Sequence, residues 1–126
     1  MTRINLVPVE TLTGPHLIAE WRELPRVFKL AYNAHTSNRD WWANRPDEYV
    51  MGTGHVTFFY DKLEFLAWRH EKLTMEMLRR GYKPSTVGNL KDLWREHIPA
   101  QYWNSYFPTD AAIRISQQRI DERNAK

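Results

Sequence analysis

The chain has 126 residues, 42% hydrophobic and 26% charged, with a net charge of +3 and a pI near 9.3. This describes one ordinary globular domain over residues 1–126, long enough to bury most of its apolar surface. No apolar run approaches the roughly 20 residues of a membrane span, the start does not read as a signal peptide, and the lack of cysteine excludes disulfides and thiolate metal sites.

Met1-Thr2-Arg3 opens the chain. A small second residue lets the initiator methionine be trimmed, leaving Thr2 with a free α-amine that titrates near ~8, against ~10.4 for a lysine. Roughly a tenth of that amine is neutral and nucleophilic at pH 7. The opening alone carries little weight, because Met-Thr is a common start.

A first helix is predicted from about Pro15 to His35. Thr13 or Gly14 caps it, and Pro15 suits the first turn, where its missing N–H is no loss. Leu17, Trp21, Leu24, Phe28 and Ala31 recur at helical spacing as one apolar stripe, and Pro25 inside it is expected to kink the helix. The segment Gly54 to Leu66 reads as a loop followed by a buried helix start. That second helix runs from Thr57 or Phe58 to Arg80 and is stopped by Gly81. Its buried stripe is Phe59, Leu63, Leu66, Leu73 and Met77, with His70 on the same line. A third helix is predicted from Asp110 to Arg123, behind the stop and cap of Pro108-Thr109-Asp110. The stretches 36–54 and 82–107 are irregular, with a short helix near Lys91 to Glu96. The fold class is all-α: a compact single domain of three main helices with long ordered loops.

On a ~100° wheel, Leu17, Trp21, Leu24, Phe28 and Ala31 fall within roughly 40° of one another's mean line. Arg22, Arg26, Ala19, Glu23 and His16 fill an arc of about 120° on the far side. Such a face is more often a solvated surface, and Glu23 an ion-pair partner of Arg22 or Arg26. Yet Arg22 and Arg26 are like charges four apart, an unfavourable pairing unless an anion lies across them. Gly52-x-Gly54 is not a phosphate cradle, since no Gly-Lys-Ser/Thr follows. The five histidines show no metal-ligand spacing, and there is no nucleophile-elbow, kinase or dinucleotide signature.

Several segments together carry a specific resemblance: Thr2-Arg3-Ile4-Asn5-Leu6, His16-Leu17 with Ala19-Glu20, Arg22 to Val27, Gly54 to Leu66, and Ala112 to Glu122. They resemble the pyrimidine-dimer DNA glycosylases of the phage endonuclease V type, at matched spacing over nearly the whole chain. The resemblance implies a DNA repair glycosylase with abasic-site lyase activity. In it the Thr2 α-amine is the nucleophile and Glu23 the catalytic carboxylate, with neither metal nor cofactor. It also implies DNA-binding roles for Arg3, His16, Arg22, Arg26, Arg119 and Arg123, with damaged double-stranded DNA as partner. A monomer in the cytoplasm of a bacterial or phage-infected cell, associated with the nucleoid, is expected.

The sequence departs from the family in its loop 38–49, at Pro15 and Trp21, and in stopping at Lys126 without an aromatic and basic tail. The dimer is therefore expected to be discriminated from undamaged DNA less sharply than in tailed relatives. The alternatives are an abasic-site lyase without dimer specificity, or a non-enzymatic helical DNA-binding module. The latter gives no reason for a carboxylate at Glu23 among phosphate-binding arginines.

Overall fold

Thr13 begins the first helix, α1 (Gly14–Glu23): its hydroxyl accepts the His16 N–H and Pro15 occupies the first turn. The structure, a computed structural model, describes residues 2–37, 40–85 and 88–124. Among these every regular element is helical, so the all-α class expected from the sequence holds.

The single kinked helix expected from Pro15 to His35 is instead two, α1 and α2 (Pro25–Thr36), meeting at Leu24. The reason is local. Pro25 has no N–H to give the Trp21 carbonyl, and an unsatisfied carbonyl inside a protein is costly. His70 fills the vacancy, its Nε2 lying 3.2 Å from Trp21 O. A carbonyl only accepts, so Nε2 carries the proton. The same imidazole stacks on the Trp21 indole at 5.6 Å, and Trp21 Nε1 donates to Thr74 Oγ1 at 2.9 Å. The proline break is thus clamped from a second helix. Leu24 keeps helical backbone angles through it, so the apolar stripe continues: Leu17, Leu24, Phe28 and Ala31 are completely enclosed.

The second predicted helix also starts later than expected. Thr57–Phe59 forms a separate 3-10 turn, and α3 runs Leu63–Arg79. Asp61 explains the interruption. Its buried carboxylate pairs with Arg45 and Lys62, each at 3.0 Å, while Asn104 Nδ2 donates to its carbonyl at 2.8 Å. The bonds from Arg45 and Asn104 are tertiary, and they hold residues 60–62 out of the helix. At the other end Gly81, with φ +85°, adopts the left-handed turn that stops α3.

A short helix α4 (Leu90–Trp94) is capped by Asn89, whose side chain accepts from Lys91 and Asp92 N–H. The last helix, α5 (Asp110–Asn124), begins where Thr109 Oγ1 accepts the Ala112 N–H at 3.0 Å. In the second irregular stretch Tyr102 is buried, tilted against Trp41 at 5.2 Å, whereas Phe107 stands out in solvent. Among the described residues no helix is long and apolar enough to cross a membrane.

Candidate active site

Residues 3–7 have no regular structure, yet Ile4, Asn5, Leu6 and Val7 are buried in the core. A buried segment without a neighbouring strand must satisfy its peptide groups some other way. Here side chains from across the fold do it. The Arg3 N–H donates to Glu23 Oε1 at 3.2 Å. The Ile4 N–H donates to His55 Nε2 at 2.9 Å, and Tyr49 donates its hydroxyl to Ile4 O at 2.7 Å. Asn5 Nδ2 gives a bond to Glu20 Oε1 at 2.9 Å. The Leu6 N–H donates to Ser116 Oγ at 2.9 Å, and Arg69 Nη1 donates to Val7 O at 2.8 Å. Five consecutive residues are thereby held by α1, α3, α5 and the loop 49–55.

His55 is locked in one tautomer. The Ile4 amide can only donate, so Nε2 accepts and the ring proton resides on Nδ1, which donates to Val50 O at 2.7 Å. Burial, and secondarily the Arg3 charge, lowers its affinity for a second proton, against the Val50 carbonyl bond, which raises it. Burial also pushes the Tyr49 hydroxyl up to about 12.

The start of this segment opens on a cleft of about 390 Å³ lined by Arg3, Asn5, Pro15, His16, Ala19, Glu20, Glu23 and Arg123. Four of the sequence-predicted site residues, Arg3, His16, Glu23 and Arg123, therefore share one cavity. Thr2 is half-buried. Because its peptide nitrogen neighbour is bonded to Glu23, covalent geometry keeps the Thr2 nitrogen within about 7 Å of that carboxylate. The fate of Met1 lies outside the described residues.

The cleft sets two guanidinium groups, Arg3 and Arg123, beside two carboxylates, Glu20 and Glu23. Burial and the nearby charges of Arg119 and Arg123 lower the Arg3 guanidinium from its usual value, with Glu23 acting the other way. Glu23 ends α1, where the negative helix end does not favour a carboxylate. Its position is offset by the Arg3 amide and the surrounding guanidinium groups. His16, in the first turn of α1, reaches Asn124 Oδ1 at the end of α5 (3.1 Å). Arg119 is half-buried, 3.7 Å from Glu122, with its Nε enclosed and without a hydrogen-bond partner. Arg22 and Arg26 are exposed and do not line the cleft, so the structure separates them from the pocket and leaves them on the surface beside it.

A larger groove of about 790 Å³ lies between α3 and residues 6–10 and 105–108, rimmed by Trp68 and Phe107. Neither Thr2 nor Glu23 borders it. Among the described residues no cluster of three or more His, Asp or Glu could hold a metal ion.

Sequence reasoning missed the residues that hold the segment: Glu20, Tyr49, His55, Arg69 and Ser116. For two of them a signal existed. Glu20 lies about 60° from Leu17 on the helical wheel, at the edge of the apolar stripe, and Arg69 lies roughly 80° from the mean line of the α3 stripe, beside Leu73 at its edge. Opposite charges on two core-facing stripes are expected to find each other.

The cleft thus brings the start of the chain together with the Glu23 carboxylate and the guanidinium groups of Arg3 and Arg123. The family model for pyrimidine dimer DNA glycosylase matches residues 1–90, and the chain belongs to that family. It is a DNA glycosylase, a repair enzyme for damaged DNA. The matched span contains Thr2, Arg3, His16, Arg22, Glu23, Arg26, His55 and Arg69, while Arg119 and Arg123 lie beyond it.

Proposed function

We propose that this glycosylase excises the dimer through the α-amine of Thr2, exposed once Met1 is removed, and then cleaves the strand as an abasic-site lyase. The amine nitrogen attacks C1′ of the sugar. The bond from C1′ to the base breaks, the base leaves with the bonding electrons and takes a proton, and the nitrogen loses its own. Opening of the sugar ring, with O4′ protonated, gives an imine. Removal of a C2′ proton then expels the 3′ phosphate by β-elimination, and water hydrolyses the imine to restore the amine. Glu23 stabilises the positive charge that builds on the sugar and carries protons between O4′ and C2′. Arg3, His16, Arg119 and Arg123 hold phosphates around the cleft, and Arg22 and Arg26 extend that grip along the surface.

The observation that supports this most directly is the 3.2 Å bond from the Arg3 amide to Glu23, which ties nucleophile and carboxylate together at the mouth of the cleft. Borohydride reduction on abasic-site duplex DNA tests it. The expected result is a covalent adduct mapped by mass spectrometry to the Thr2 amine. An adduct on Lys62 or Lys72, or none, would overturn the amine mechanism.

A further inference from the structure

Ile4 is the first residue of the N-terminal segment whose N–H and C=O are both taken by side chains: His55 accepts from one and Tyr49 donates to the other. Between Ile4 and the amine there is only one residue, and its amide is bonded to Glu23. The approach of the amine to the sugar is therefore set at Ile4. Tyr49 does not titrate in the physiological range, since burial holds its proton. His55 is the group of the pair that can change state.

We propose that His55 is a positioning residue for catalysis, the clasp that holds the Thr2–Ile4 segment at the reach the amine needs, and that it does so only as a neutral imidazole. This rests on the amine mechanism proposed above. Protonating Nε2 sets its N–H against the Ile4 N–H, donor against donor, and the bond is lost. No neighbour compensates. The ring is enclosed by the edges of Tyr49 (5.3 Å) and Phe59 (5.8 Å), and its Nδ1 proton is committed to Val50 O. Of the charged groups acting on it, Arg3 from the N-terminal segment opposes a second proton and Glu20 from α1 favours one. Arg3 is the stronger. The enzyme should consequently carry two acid limbs. The amine itself produces the first, near ~8. His55 produces a second at lower pH, where the logarithm of the rate steepens from one proton to two.

The test compares wild type with His55→Ala and His55→Gln in single-turnover borohydride trapping on abasic duplex DNA from pH 4.5 to 8.5. Glutamine supplies one acceptor and one donor and does not titrate. Amide exchange at Ile4, followed by NMR as a protection factor on the folded free protein, gives a readout independent of activity. His55→Ala should trap on the order of 10²-fold more slowly, as expected for a displaced nucleophile, with little change in DNA affinity. His55→Gln should recover most of that loss and lose the second acid limb. In wild type the Ile4 protection factor should fall on acidification below 6.5, as the lowered His55 value is passed, and in His55→Gln it should not change. A second limb that persists in His55→Gln overturns the proposal, as does an Ile4 amide equally protected in wild type and His55→Ala. A trapped adduct on a lysine, with Ile4 still released on acidification, overturns the amine mechanism and the catalytic role with it. A Thr2 adduct with Ile4 unresponsive overturns the positioning role alone.

Discussion

Arg69 Nε meets Glu20 Oε2 at 2.5 Å, and both side chains are almost wholly enclosed, at 5% and 1% exposure. The pair is a fork, since Arg69 Nη2 also donates to Glu20 Oε1 at 3.1 Å. Each partner has a bond left over, and both go to the N-terminal segment: Glu20 takes the Asn5 amide and Arg69 reaches Val7 O. The pair thus serves as a mould for residues 5–7, while Glu23, one turn further along α1, faces the cleft.

Removing one partner should be severe. Glu20→Ala leaves a buried guanidinium uncompensated, for a loss of roughly 3–5 kcal/mol, read as a drop in the urea midpoint. The double replacement Glu20→Leu with Arg69→Met should recover much of that stability, because well-packed apolar groups replace buried ion pairs at little cost. It should not recover trapping by Thr2, because Asn5 and Val7 lose their anchors. Wild-type trapping in the double variant would show that the pair only stabilises.

Glu23→Gln should preserve DNA binding and slow strand cleavage by about 10²–10⁴-fold, the range of a positioned acid–base or electrostatic group. The amide still accepts the Arg3 N–H, so the segment stays seated. Gel-shift affinity beside single-turnover incision separates the two effects. Unimpaired incision would leave Glu23 as an anchor for Arg3 and nothing more.

Arg123→Ala and Arg22→Ala probe different parts of the cationic surface. Both should weaken binding to any duplex and lower the slope of log affinity against log salt by about one. Only Arg123 lines the cleft, so only its loss should also slow trapping at saturating DNA. A common effect of both variants on trapping would contradict the separation of surface from pocket.

Stability should rise with pH through the range below 6.5. His70 and His55 are both buried with proton affinities lowered mainly by burial. The unfolded chain therefore binds protons that the folded one resists, and folding gains as those protons leave. The contribution is complete above the unfolded value near 6.5 and is lost as pH falls through the lower folded values. At the alkaline end Tyr49, raised to about 12, acts in the opposite sense. Its stabilisation, on the order of 2–3 kcal/mol, is present below pH 10 and disappears as pH climbs towards 12. Urea midpoints at pH 5, 7.5 and 11.5 should trace a dome, and an equal midpoint at pH 5 and 7.5 would refute the histidine part.

What could be read beforehand was what is decided locally. Thr13 with Pro15, the Leu17–Leu24–Phe28 stripe, Gly81, and Thr109 behind Pro108 act within a turn or two, and the helices begin or end there. The late start of α3 was not legible, because Asp61 is drawn out of the helix by Arg45 and Asn104, far away in sequence. Nor were the clasps on residues 3–7. His55 is 51 positions from Ile4 and Ser116 is 110 from Leu6, and neither carries a periodic signal. The resemblance that named Thr2 and Glu23 said nothing of what holds them, since anchoring groups have no motif of their own.

The hydroxyl of Ser116 that receives the Leu6 amide is made 110 residues after it. At roughly 5–20 residues per second, a ribosome needs about 5–20 seconds to reach it. Throughout that interval the seat for the N-terminal segment is incomplete, so the first residues remain open to the enzymes that trim methionine. Only when α5 emerges can the segment be drawn into the core. Order of synthesis thus gives processing its turn before the segment is seated, and on the mechanism proposed above the Thr2 amine would be uncovered while the chain is still being made.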